Sequence, residues 1–113
     1  MSEKFTISRA GSPYVVRTAD AVIGETTRAL ILSEVGYDPV VYLPREDIGM
    51  ELLERSDRRT KCPHKGDATY YHIIGPAGRI DDAVWSYEDP IEGAGKIAGY
   101  LAFHNEKVTV EQL

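Results

Sequence analysis

The sequence is poor in the features that would classify it at once. It has a single cysteine, Cys62, in 113 residues. No intramolecular disulfide framework can form, and a reducing, cytoplasmic compartment is expected. No run approaches the roughly 18 apolar residues of a transmembrane helix. Met1-Ser2-Glu3-Lys4 leads into no apolar segment, so no secretory signal is expected. Basic residues are the minority, 13 against 18 acids, for a net charge of −5. Without a Lys/Arg block, neither nucleic acid nor an anionic membrane surface is expected as a partner. The G-x-S-x-G, G-x-x-x-x-G-K-[ST] and H-E-x-x-H motifs are missing. Gly93-Ala94-Gly95-Lys96 lacks the preceding strand and the following Ser/Thr of a phosphate loop. Repeats, linkers and low-complexity stretches are absent too. The reading is one domain over 1–113, with residues 1–12 a loosely ordered segment or an edge strand.

What is present is a composition that is 42% hydrophobic, with ten glycines and six prolines scattered along it. That suffices for one core and cuts the chain into short pieces, favouring strands over long helices. Strand candidates are residues 14–18 (YVVRT), 21–23, 26–32 (TTRALIL) and 40–43. Pro44-Arg45-Glu46-Asp47 reads as a helix's first turn, with proline at the first position and acids near the positive dipole end. Gly49 limits it to one turn before a short strand over 50–53; a two-turn helix over 45–53 is the alternative. Residues 68–74 and 79–85 flank Gly75-Pro76-Ala77-Gly78 and form a hairpin. Residues 88–99 hold at most one helical turn, with Asp89 as cap and Pro90 following. Residues 99–103 and 107–111 read as a second hairpin. The sum is a mainly β domain of about seven or eight short antiparallel strands.

The densest chemical constellation is Cys62-Pro63-His64-Lys65-Gly66-Asp67. A thiolate stabilised by Lys65 or His64 is one reading, and Cys62 as a small buried hydrophobe is the plainer one. If Pro63 and His64 are extended, Cys62 and His64 point to one side. Cys62-x-His64 is too tight for a paired zinc ligand set, and His72 and His104 lie on separate hairpins, so no metal or cofactor is expected. His72 reads as a sheet-face residue and His104 as solvated. In the 68–74 strand, Asp67 opens one alternating face and Ala68 the other. That turns Ala68, Tyr70, His72 and Ile74 inward and leaves Tyr71 near solvent. Trp85 is placed in the core, on the same side as Tyr70.

The segments Y-L-P-R-E-D-I (42–48), C-P-H-K-G-D-A-T-Y-Y (62–71), A-V-W-S-Y-E-D-P (83–90) and I-A-G-Y-L-A-F (97–103) resemble, in order and spacing, the bacterial and fungal domain-of-unknown-function family 427. The resemblance covers about residues 13–111. It implies a mostly β fold similar to the β-tent, two antiparallel sheets meeting at an angle around a pocket. The zinc that β-tent relatives hold between C-x-x-C pairs is not implied, since no such pair exists here. The family carries a nucleotidyltransferase-like label, which implies an acidic pair such as D-x-D; Asp81-Asp82 are adjacent and point to opposite faces. His64 stands where the family more often has an aromatic residue. Cys62, Lys65, Gly66, Arg45, Glu46, Asp47, Trp85 and Tyr100 fall on its motifs.

The leading expectation is a pocket near the C-P-H-K-G loop that binds a small anionic or carbonyl-bearing molecule. Arg45, Glu46, His64, Lys65, Gly66, Tyr70, Trp85 and Tyr100 form it. The alternatives are an enzyme with Cys62 as nucleophile and Lys65 or Asp67 in proton transfer, and a homodimeric interaction module pairing through edge strands near 21–23 or 107–111.

Overall fold

Short β-branched and aromatic runs between glycine and proline breaks become strands. The computed structural model describes residues 5–19, 21–76 and 78–113. Among them the strands are β1 Phe5–Arg9, β2 Tyr14–Arg17, β3 Val22–Thr26, β4 Leu30–Glu34, β5 Val40–Tyr42, β6 Leu53–Cys62, β7 Gly66–Gly75, β8 Gly78–Ser86, β9 Ala102–Phe103 and β10 Thr109–Gln112. Three short 3-10 turns, Arg45–Asp47, Met50–Leu52 and Gly95–Ile97, complete them. No described helix is long and apolar enough to cross a membrane.

The mainly β, antiparallel reading is what the chain adopts, with three sheets in place of the two expected. Their orders are β1-β4-β5, β10-β2-β3 and β6-β7-β8-β9. The break at Gly11-Ser12-Pro13 separates β1 from β2, so that each starts its own sheet. Leu43 and Leu101 exchange both backbone hydrogen bonds at 2.8 Å, joining the end of β5 to the approach to β9. β3 and β10 are the outer strands of the second sheet. Of residues 1–12, 1–4 lie outside the described residues and Phe5–Arg9 forms the outer strand β1. Ala77 of the expected hairpin turn also lies outside them.

Several local expectations are corrected. The 26–32 segment is not one strand. The Thr26 hydroxyl accepts the Arg28 N–H at 2.9 Å and donates to Asp47 at 2.7 Å, turning the chain between β3 and β4. Pro44 precedes its turn as the capping residue rather than opening it. Residues 50–52 form a 3-10 turn, and the strand begins at Leu53 and runs ten residues. β6 was hidden because it is an outer strand, mostly exposed, with charges on both faces and a register shift between Arg55 and Arg59. The turn in 88–99 falls at Gly95–Ile97, preceded by Ala94 and not by Asp89. Residues 99–103 and 107–111 do not pair with each other. β9 pairs with β8 and β10 with β2, because the turn after His104 carries the chain across to the second sheet's open edge.

The β6–β9 sheet is covered on both faces. The main core gathers Val16, Ile23, Leu43, Tyr71, Ile73, Val84 and Phe103. A second cluster holds Leu32, Tyr42, Ala68, Tyr87 and Ile97, with Tyr70 and Trp85 packed against it. The expected phase of β7 is therefore corrected. Tyr71 and Ile73 face the main core, whereas Tyr70 and His72 are half-buried and Ile74 is exposed. Asp67 does not mark the shallower face of the strand, because it sits at the hairpin end, beyond the main core.

Gly24 sits where β3 meets the chain after the first 3-10 turn. A Cβ there would lie 2.6 Å from the Asp47 carbonyl oxygen and 2.6 Å from Ile48 Cδ1. Gly24→Ala is expected to cost roughly 1–3 kcal/mol, as other overpacked sites do. Gly95→Ala, with open space at its Cβ, should stay within about 0.5 kcal/mol of the parent. Urea denaturation of both variants measures the difference.

Candidate functional site

The second cluster does not close completely. A cavity of about 310 Å³ remains between the β4–β5 face and the β7–β8 face. Period-2 alternation selects its walls. From β4 come Leu32 and Glu34, and from β5 Val40 and Tyr42. Tyr70 and Trp85 are cross-strand partners on β7 and β8, so they stand side by side. Tyr87, just beyond β8, adds a third wall, and Tyr37, Asp38 and His104 border the cavity. Tyr37 and Asp38 are solvent-exposed.

Lys65 reaches this cavity from the β6–β7 turn. Its backbone N–H donates to the Cys62 carbonyl at 3.2 Å, closing a turn with Pro63 in the second position, where its fixed φ fits. Gly66 follows at φ +115, and the Lys65 carbonyl accepts the Ile91 N–H at 2.9 Å. The turn overturns the extended path through Pro63 and His64. Its consequence is to swing Lys65 inward. Nζ lies 2.9 Å from Glu34 Oε1, and both side chains are largely buried. Nζ also approaches Cys62 Sγ at 3.6 Å and the Phe5 ring at 5.6 Å.

The tyrosines are held as neutral phenols. Burial pushes the Tyr42 hydroxyl up to about 12, against the opposing Trp85 hydrogen bond, and burial pushes Tyr87 up as well. Trp85 Nε1 donates to the Tyr42 oxygen at 3.3 Å. The Tyr70 and Thr60 hydroxyls are 2.9 Å apart. Trp85 is half-buried, a cavity wall rather than a sealed core residue. His104, expected in solvent, is half-buried with its ring centroid 4.7 Å from that of Trp85. The His104 backbone N–H donates to the Ala83 carbonyl at 2.8 Å, so the chain still follows β8 there and the ring packs at a tilt against the indole.

Lys65, Tyr70 and Trp85 thus meet at one cavity, with Cys62 behind Lys65. Arg45, Glu46 and Tyr100 lie apart, around a hollow of about 100 Å³. There the Arg45 guanidinium pairs with Glu88 at 2.9 Å and donates to the Gly99 carbonyl at 3.1 Å. Tyr71 also donates to Glu88. Burial would raise the Glu88 carboxyl, but the Tyr71 hydroxyl and Arg45 outweigh it and hold the carboxyl below its usual range. His64 and Gly66 line neither hollow. Asp67 is exposed and sits opposite Lys61. Glu34 and Tyr42 are wall residues the sequence did not single out, and Tyr87, one of the aromatic residues that could line a cavity, is a wall as well. Glu34 was accessible to sequence reasoning, two positions after the buried Leu32 on one strand face.

A family model described as a domain of unknown function (DUF427) matches residues 6–112. The chain belongs to this family. The comparison with curated proteins returns no match. In this DUF427 domain the acidic doublet is engaged internally. Asp81 pairs with Arg79 at 2.7 Å, and Asp82 accepts from Ser56 and sits 3.7 Å from His72 Nδ1. Among the described residues no group of three or more His, Cys, Asp or Glu side chains stands close enough to hold a metal ion.

Two outcomes test this geometry. Lys65→Met strands Glu34 as a buried, unpaired charge and should cost about 3 kcal/mol. The double variant Lys65→Met/Glu34→Gln should recover most of that loss in a denaturation double-mutant cycle. Additive losses would place the two charges in water instead. The second outcome concerns His104, which burial first, and then Lys107 and Arg58, push below the usual imidazole range. A depressed folded value gives stability that is complete above about pH 6.5 and lost as pH falls through the folded value. The imidazolium then forms against Trp85, the only tryptophan, so emission should fall with a midpoint below about 6.5. His104→Gln should flatten that titration.

Proposed function

We propose that this domain binds a small molecule in the cavity between the β4–β5 and β7–β8 faces, with an oxygen acceptor of the ligand, carbonyl or carboxylate, on Lys65. The observation that carries the reading is one cavity that combines the buried Lys65–Glu34 pair with Tyr42, Tyr70, Trp85 and Tyr87. Ligand pockets combine mostly apolar, aromatic walls with a few placed polar groups in this way. The volume is at the low end of the roughly 300–1,000 Å³ typical of such pockets. A reducing, cytoplasmic setting accords with the single free thiol. A thermal-shift screen of small carbonyl compounds and carboxylates tests it, because binding raises Tm by mass action. Shifts should vanish in Lys65→Met/Glu34→Gln and persist in Tyr100→Phe, which lies outside the cavity. Shifts that survive the double variant would put the site elsewhere.

The Nζ to Sγ approach at 3.6 Å favours a second reading, an enzyme with Cys62 as nucleophile and Lys65 as its proton partner. Asp67 has no place in it, being exposed and paired across the hairpin with Lys61. The alkylation rate of Cys62 against pH in the folded chain decides. A rate tracking an ordinary thiol near about 8.5 removes the reading.

A further inference from the structure

Three features of the cavity constrain the ligand. The first is charge. Lys65 and Glu34 neutralise each other at 2.9 Å, with side chains only 10% and 15% exposed. An anion on Lys65 would set a second negative charge beside Glu34 where water cannot screen it, and a cation would meet the ammonium. The centre of the cavity therefore favours an uncharged group.

The second is the supply of donors. The Lys65 ammonium has three N–H groups, and Glu34 and Cys62 take two. The Tyr42 oxygen accepts from Trp85, so its own proton remains to donate. Tyr87 is largely buried and lines the cavity, and its hydroxyl makes no side-chain hydrogen bond among the described residues. Since no fully buried side-chain polar atom there lacks a partner, that hydroxyl is open to the cavity and free to donate to what occupies it. The third constraint is shape. Tyr70 and Trp85 stand side by side on the cavity wall, with Arg58 over the Tyr70 ring and His104 against the indole, and such flat aromatic walls favour a flat, electron-poor partner.

Resting on the binding proposed above, we infer that the ligand is an uncharged planar ring carrying at least one carbonyl oxygen, of quinone or cyclic-imide type. The carbonyl oxygen accepts hydrogen bonds from Lys65 and Tyr87, and the ring lies against Trp85.

Trp85 emission in the full chain is the readout. The probes are duroquinone, whose ring positions are all blocked against addition of Cys62, trimethylbenzoate as the anion and phenyltrimethylammonium as the cation. Duroquinone should quench saturably and bind at least about tenfold more tightly than either ion. Tyr87→Phe, which keeps the ring and removes only the hydroxyl, should weaken it about 3- to 10-fold, as loss of one hydrogen bond does. An ion binding as tightly as duroquinone, or a Tyr87→Phe chain with unchanged affinity, overturns the uncharged-carbonyl inference while the pocket stands. Failure of all three probes to saturate, together with an empty thermal-shift screen, overturns the pocket itself.

Discussion

The ion pair between Lys65 and Glu34 ties a turn of one sheet to a strand end of another. Each charge taken from water costs several kcal/mol, and only close pairing compensates. The turn that delivers Lys65 must therefore be tightly specified. Pro63 fixes its second position, Gly66 supplies a positive φ, and the Lys65 carbonyl is held by Ile91. Gly66 is also crowded, since a Cβ would meet Ile91 N at 3.3 Å. This glycine, expected among the pocket residues, is approached by the chain's own backbone.

A sheet buried on both faces needs two partners, and here the partners differ in kind. Against the main core it presents Ile73 and Val84, which interdigitate with aliphatic neighbours and leave no exposed surface. Against the β4–β5 sheet it presents Tyr70 and Trp85. Large amphipathic rings need a partner for their polar tips as well as a surface for their faces. Trp85 finds one in Tyr42 and Tyr70 in Thr60, while the Tyr87 hydroxyl makes no side-chain hydrogen bond among the described residues and opens on the cavity. The cavity follows from that choice of side chains. Two charges locked on each other, and rings that cannot pack as aliphatics do, keep this face from collapsing.

The sequence made the strand content legible because glycine and proline punctuate β-branched runs, and it placed Lys65, Tyr70 and Trp85 near one another by their motifs. It failed where pairing, not local pattern, makes the structure. β6 carries no clear alternation, since it is a mostly exposed outer strand with a register shift, and only its ladder with β7 defines it. β10 joins β2 across almost the whole chain length, which no local signal announces. The phase of β7 was misjudged because alternation tells faces apart but not which is deeper when both are covered. The family resemblance added the order of the motifs, and the match over residues 6–112 agrees with it. It gave no indication that those motifs divide between two places.

That division separates scaffold from site. Arg45 and Glu46 come from one motif and Tyr100 from another, and they meet around the smaller hollow. Arg45 there holds Glu88, Tyr71 and the Gly99 carbonyl together, linking the 3-10 turn to β7, the end of β8 and the loop before β9. Its charge is spent on Glu88 and its donors on fixed acceptors, so it has little left for a ligand. Lys65 is also paired, but its partner Glu34 is itself a wall of the larger cavity, and neither fills the space beside them. The two cations of the motifs thus differ by geometry more than by charge. One is used up as a clamp, and the other is held in place with a donor to spare.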